Sequence, residues 1–215
     1  MKLSERLFES TKPFWDKAAQ NPFVIAMADG TLGKENFKAY MLQDYYYLND
    51  YISILEHMES QAEKAETRAF LKDAIQAIRY EMENLHIANM KQLGITDEDI
   101  RTVGKNAACS EYLEFLRSNA LEGTVRGLTA LLQCSWSYAY IAKSVADQYG
   151  DKIASSPYAD WFGSYTSEEY VGANQAWIDL LDSETQDISD DDIELSCRIF
   201  EKCAAFEDRF WKALL

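Results

Sequence analysis

Proline and glycine are scarce in these 215 residues, at 3 and 9 respectively, which removes the punctuation expected of turn-rich or linker-rich chains. Few runs alternate apolar and polar residues with period two, so no sheet is expected. Histidine occurs twice, and the four cysteines (Cys109, Cys134, Cys197, Cys203) form no Cys-x-x-Cys pair. Zinc clusters, glycine-rich phosphate loops and a Gly-x-Ser-x-Gly elbow are therefore absent from the motif set. Positive charge is also short: 21 Lys and Arg stand against 36 Asp and Glu, a net charge of −15. Such a surface repels phosphate backbones and anionic membranes, which argues against direct nucleic-acid or lipid partners. No stretch is long and apolar enough to span a bilayer. The opening Met1-Lys2-Leu3-Ser4-Glu5-Arg6 leads into an amphipathic helix rather than a signal-peptide core. Unpaired thiols of this kind fit a reducing cytoplasm.

What is present is apolar and aromatic. Hydrophobic residues make up 47% of the chain and aromatics 13%, with 13 Tyr and 5 Trp, enough for one sizeable domain that buries roughly 70% of its unfolded surface. Pro13 is expected to bend or restart the first helix, and Asn21-Pro22 to open a short second one. After the turn Asp29-Gly30-Thr31-Leu32-Gly33, the spacing predicts a long helix over about 34–60 and another over 63–93, closed by Gly94. Thr96 starts a short helical turn, a helix follows over 106–118, and Gly123-Thr124 opens the most apolar helix, ending near Gly150. Ser156-Pro157 reads as an N-cap with Pro at the first helical position, Thr166-Ser167-Glu168-Glu169 as a capping box, and Ser189 as a cap before three Asp residues. With no repeat, linker or composition break, the expectation is one all-α domain over residues 1–215 with short connections.

Three of these helices carry an ionisable or reactive group inside an apolar stripe. Phe37, Tyr40, Met41, Asp44, Tyr47, Leu48, Tyr51 and Leu55 share one face of the first long helix. A carboxylate in such a row costs several kcal/mol unless it is paired. Asp44 is thus either a tyrosine-satisfied structural group or part of a polar site. On the apolar helix, Gly127, Ala130, Leu131, Cys134, Ser137, Tyr138 and Ile141 share a face. Cys134 taken alone reads as a small buried hydrophobe, although Gly127 and Ala130 could leave room for a ligand. A reactive thiol there needs a neighbour that helps form thiolate. On the last helix the stripe is Ile193, Cys197, Phe200, Ala204, Glu207, Phe210, Trp211 and Leu214. An unpaired Glu207 among aromatics would hold its proton near neutral pH and could donate it; a salt bridge or a hydrogen bond to Tyr or Arg is the structural alternative. Cys109, Cys197 and Cys203 read as packing residues.

Metal chemistry has one pointer. Glu83-Asn84-Leu85-His86 has the Glu-x-x-His spacing of helical di-metal proteins, but a dinuclear site needs two such motifs, and His57 is preceded three residues earlier by Ile54. A local hydrogen bond between Glu83 and His86, one helical turn apart, is the expectation. Neither histidine is marked as a haem ligand.

Four blocks carry a resemblance: Tyr40-Met41-Leu42-Gln43-Asp44-Tyr45-Tyr46-Tyr47-Leu48, Ala130-Leu131-Leu132-Gln133-Cys134-Ser135-Trp136-Ser137-Tyr138, Trp161-Phe162-Gly163-Ser164-Tyr165 and Phe206-Glu207-Asp208-Arg209-Phe210-Trp211. In this order, over nearly the whole chain, they resemble the TenA family, the type II thiaminases or aminopyrimidine aminohydrolases, in its cysteine-bearing branch. The resemblance implies a helical bundle similar to haem oxygenase but without haem, assembled as a homotetramer and using no metal or organic cofactor. It also implies hydrolysis of 4-amino-5-aminomethyl-2-methylpyrimidine to the 5-hydroxymethyl pyrimidine for thiamine salvage, and cleavage of thiamine to the same pyrimidine and its thiazole alcohol. By position, Cys134 is then the nucleophile, Glu207 the proton donor and acceptor, and Asp44 the holder of the ring's amidine edge. Tyr47 would hydrogen-bond Cys134, while Tyr112, Tyr138 and Tyr165 line the substrate pocket. Gln133 departs from the proline that many relatives carry before the cysteine; as a better helix former it should alter the local helix more than the chemistry.

Such a site suits the reaction. A thiolate adding to the pyrimidine while a carboxylic acid protonates a ring nitrogen relieves the charge that leaving-group expulsion would concentrate. Two other readings stay open at this level: a pyrimidine-binding or regulatory protein that does not turn over its ligand, and a metal-dependent oxidase built on Glu83 and His86.

Overall fold

The computed structural model describes the backbone of residues 1–215 and every side chain except that of Leu85. Every regular element among them is helical, as the lack of period-two patterning predicts. Residue contacts group the chain into two compact units, one built from Met1–Leu32 and Leu128–Ala213, the other from Gly33–Gly127.

The Gly33–Gly127 unit opens with α3 (Lys34–Gln61), which follows α1 (Leu3–Ala18) and α2 (Pro22–Ala28) in the chain. The second predicted helix is real but not regular. It consists of α4 (Ala65–Glu81), a π-helical turn (Met82–His86) and α5 (Ile87–Gln92), closed by Gly94 at φ +78°. α6 (Asp97–Thr102) begins with the reciprocal capping of Thr96 and Asp99, and α7 (Ala107–Leu121) begins at Asn106, whose side chain accepts from the Cys109 N–H. α3 packs against α4, the π turn, α5 and α7. Gln43 pins the approach to α7: its amide donates to the Gly104 carbonyl at 2.9 Å and accepts from the Asn106 N–H at 2.8 Å. Tyr46 does the same for α6, donating to the Ile100 carbonyl at 2.7 Å and accepting from the Gly104 N–H at 3.1 Å.

In the other unit α1 lies against α11 (Asp190–Lys212), and α10 (Glu168–Glu184) accepts Ser4 through the Asp182 carboxylate. α8 (Thr124–Ala154) is broken at Gly150, and α9 (Ala159–Thr166) follows. Trp15 of α1, Trp136 of α8 and Phe200 of α11 meet with ring centroids 5.5 to 5.9 Å apart. Such rings bury large apolar area and prefer these tilted geometries.

Several local expectations shift. α1 runs through Pro13 without a restart. α9 starts at Ala159 rather than Pro157; Ser156 instead accepts from the Tyr158 N–H and donates to the Met27 carbonyl, holding the connection in place. At α10 the cap is Ser167, accepting from Tyr170, so the third helical position holds no acid and the box is not reciprocal. Asn21 and Ser189 cap α2 and α11 as read from the sequence.

Candidate active site

Asp44 sits midway along α3. Its side chain keeps 14% of its exposure, and burial pushes its carboxyl up to about 7, because the charged form loses water without gaining a compensating cation. His86 faces it from the π turn, with Nδ1 3.6 Å from Asp44 Oδ2. The other ring nitrogen, Nε2, lies 3.0 Å from the Met41 carbonyl, one turn back along α3. Tyr47, one turn beyond Asp44, is buried, and its ring lies 5.4 Å from that of Tyr112 on α7. Asp44 and Tyr47 thus share the α3 face that the stripe predicts, and Tyr112 reaches Tyr47 from α7.

The second group lies in the Met1–Leu32 and Leu128–Ala213 unit. α8 is buried on every side over residues 127–133, so its start is a core helix rather than an amphipathic one. Cys134 then retains partial exposure, while Ala130, Leu131, Ser137, Tyr138 and Ile141 on the same face are buried. Ser137 donates its hydroxyl to the Cys134 carbonyl at 2.8 Å. Trp136 and Tyr138, two positions apart, point to different sides of α8: Trp136 meets α1, whereas Tyr138 joins Trp161 and Tyr165 of α9 and Trp211 of α11. Tyr138 and Tyr165 have centroids 4.8 Å apart, and the Trp211 indole N–H donates to the Tyr138 hydroxyl at 3.2 Å. Glu207, 3% exposed, projects from the same helix as Trp211; burial, with a smaller contribution from Glu207, pushes the Cys203 thiol well up. Cys203 is thereby kept as an inert thiol, in line with its reading as a packing residue.

Within this unit Tyr138 meets Tyr165 and Trp211 at interplanar angles of 60° and 58°, so the three rings form an angled aromatic wall. Trp161 and Trp211 belong to the quoted blocks but carry no assigned role in the sequence; their place in the wall follows from tertiary packing. Gly127 does not leave ligand room. A Cβ built there would lie 2.7 Å from the Met58 sulfur, so that side chain fills the space.

The expected Glu83–His86 bond gives way to a different arrangement. Glu83 is exposed, and His86 is turned toward Met41 and Asp44. The π turn is the reason: its wider i to i+5 winding takes residues three apart out of register. With Glu83 in solvent and the ring directed at Met41 and Asp44, these two residues assemble no ligand set, and no group of three or more potential ligands occurs among the described residues.

The family model described as TENA/THI-4/PQQC matches residues 9–215. An aminopyrimidine aminohydrolase from Helicobacter pylori is 28% identical over 213 residues, covering 98% of this chain and 97% of that protein. Among solved structures, a TenA homologue from P. horikoshii OT3 superposes with a TM-score of 0.83 at 29% identity, covering 100% of this chain and 98% of that one. A haem-oxygenase-like domain from Shewanella denitrificans OS217, at 15% identity, superposes with a TM-score of 0.76 over 98% of this chain and 90% of that one. That last likeness bears on the fold alone and matches the expected all-α architecture.

Proposed function

Because the chain belongs to the TENA/THI-4/PQQC family, we propose that it hydrolyses aminopyrimidines in thiamine salvage. The substrate is 4-amino-5-aminomethyl-2-methylpyrimidine, converted with one water to the 5-hydroxymethyl pyrimidine and ammonia; thiamine is cleaved by the same route to that pyrimidine and its thiazole alcohol. The observation that carries the reading is Asp44, a half-buried carboxyl raised to about 7 on an otherwise apolar helix face. A carboxyl of that kind recognises an amidine edge: its carbonyl oxygen accepts from the amino group while its O–H donates to the ring nitrogen.

In this reading residues 1–215 act as one domain. Cys134 adds as thiolate to the pyrimidine ring, with Tyr47 hydrogen-bonded to it. Glu207 protonates a ring nitrogen, so the electron pair entering the ring is held there rather than on carbon. Its return expels the leaving group from the exocyclic methylene. Water adds at that carbon, the ring proton returns to Glu207, and the thiol departs. Tyr112, Tyr138 and Tyr165 stack on or border the flat heterocycle and keep water out until the amine has left. The chemistry calls for no metal or organic cofactor. The proposal carries a homotetramer in the cytoplasm; for its part, no helix among the described residues is long and apolar enough to cross a membrane.

The test is release of ammonia and hydroxymethyl pyrimidine by wild type and Cys134→Ser, with thiamine run alongside. We expect turnover of at least one substrate and a loss of about a hundredfold or more in the variant. A folded wild-type protein that binds the pyrimidine but turns over neither substrate would replace the hydrolase with a ligand-binding protein.

A further inference from the structure

His86 lies outside the four sequence blocks, yet the structure turns it onto Asp44. The turn that carries it, Met82–His86, is π-helical within an otherwise α-helical run. Such widened turns re-aim a side chain that a regular helix would direct elsewhere, and they concentrate at functional sites. The ring is 7% exposed, and Tyr45 lies alongside it with the two planes 25° apart.

The tautomer follows from the partners. A carbonyl oxygen only accepts, so the 3.0 Å contact with Met41 requires the proton on Nε2. In the neutral ring Nδ1 is then a bare lone pair, and it faces Asp44 Oδ2 at 3.6 Å. Lone pair against carboxylate is repulsive, so the arrangement calls for a proton between the two atoms. Burial raises Asp44 and lowers His86; both shifts favour the neutral acid beside the neutral imidazole, with the proton on Asp44.

We propose that His86 is the positioning residue for Asp44: its Nδ1 holds the Asp44 carboxyl in one plane and in its protonated form before substrate arrives. The role rests on the reading of Asp44 as the group that grips the pyrimidine's amidine edge. A carboxylate offers acceptors only and matches the amino group alone. The neutral acid offers one donor and one acceptor and matches both the ring nitrogen and the amino group. The proton that points at Nδ1 in the unliganded protein is the one donated as a hydrogen bond to the ring nitrogen in the complex, with no net transfer.

The other titratable groups around this face are few. From α4, Glu81 acts on His86 and favours its charged form, against the effect of burial. From α7 come Tyr112, whose ring lies against Tyr47, and Cys109, whose thiol is directed at the Gln43 carbonyl. α5 brings Lys91, which is exposed. On α3 itself Tyr45 lies beside the His86 ring.

Two variants separate the ring's two contacts, the 3.0 Å bond to Met41 and the 3.6 Å approach to Asp44. His86→Gln can place an amide N–H where Nε2 meets Met41 but offers no acceptor at the Nδ1 position. His86→Asn can place an amide oxygen near that position and gives up the Met41 bond. The carboxyl carbon of Asp44 is followed by carbon-13 NMR against pH in the unliganded full-length protein, beside steady-state kinetics. In His86→Gln we expect Asp44 to titrate lower than in wild type, with burial still holding it above the ordinary carboxylate range. KM for the aminomethyl pyrimidine should rise about tenfold with kcat changed much less, as loss of one neutral hydrogen bond predicts. The alkaline limb of kcat/KM should also move to lower pH. His86→Asn should restore much of the Asp44 titration despite a lower Tm. An Asp44 titration in His86→Gln that superposes on wild type overturns the proposal. If that variant does not fold, an Asp44 titration in His86→Asn well below that of wild type does so instead. Because the titration needs no substrate, a wild-type protein without turnover would sink the hydrolase reading while leaving the Asp44–His86 pair to be judged by NMR.

Discussion

At the scale of the residue, a polar side chain in an apolar stripe marks Asp44 and Glu207 from sequence alone, and the structure buries Glu207 and half-buries Asp44. Their neighbours were legible only where the neighbour lies on the same helix, as Tyr47 does one turn from Asp44. His86 was not, because its partner depends on how a separate helix winds. The Asp44 shift has a measurable consequence. Its folded value, about 7, lies above the ordinary Asp value of 3.8, so the folded chain binds the extra proton between those pH values. The stabilisation is complete below the unfolded value and is lost as pH rises through the folded one. Fully expressed, the loss amounts to about 4 kcal/mol at 1.36 kcal/mol per pH unit; residual exposure makes that an upper bound. Asp44→Asn lacks the titration. It should therefore be more stable than wild type at pH 8, with the gap closing as pH falls toward 4. His86, which burial lowers, loses stability in the opposite direction as pH falls, and to first order that loss is common to both proteins. Urea unfolding at several pH values reads the gap, and a gap independent of pH would contradict the burial of this carboxyl.

At the scale of the element, helix starts were read well where one residue supplies the signal. Asn21-Pro22, Thr96 and Ser189 begin helices as their side-chain chemistry requires. The Ser156-Pro157 and Thr166-Ser167 readings slipped by one or two residues. Several polar candidates compete there, and tertiary bonds, such as Ser156 to the Met27 carbonyl, decide which one caps. The π turn leaves no mark in Glu81-Met82-Glu83-Asn84-Leu85-His86, a run made mostly of good helix formers. Asn21 shows how a legible cap can carry an illegible second bond. Its Oδ1 accepts from the Phe23 N–H at 2.9 Å, while its Nδ2 donates to Asp208 at 3.1 Å, 187 positions away. The cap is buried at 3% exposure, so truncation removes both bonds and leaves a buried N–H without its acceptor. Asn21→Ala should cost about 2 kcal/mol, more than the roughly 1 kcal/mol of an exposed cap such as Ser189→Ala. Chemical denaturation of the two variants side by side makes the comparison. Equal losses would mean that the Asp208 bond contributes nothing.

At the scale of the whole molecule, composition set the class and packing set the grouping. An apolar and aromatic interior under a net charge of −15 is legible as an acidic helical protein. The division of contacts into two units was not legible, because no linker or change of composition marks either boundary. Gly33–Gly127 is inserted between the two segments of the other unit. The unit formed by Met1–Leu32 and Leu128–Ala213 is therefore discontinuous in the chain, and α8 begins within residues 124–127 of one unit and continues into the other. Residue placement supplies the probes. All five tryptophans, Trp15, Trp136, Trp161, Trp177 and Trp211, fall in the discontinuous unit, so their fluorescence reports on it alone. Far-UV circular dichroism reports the helices of both. If residues 1–215 act as one domain, the two signals should trace the same thermal transition. Loss of helical signal in a separate step, with tryptophan fluorescence unchanged, would show that Gly33–Gly127 unfolds on its own. The single-domain proposal would then fall, even if the hydrolase activity stood.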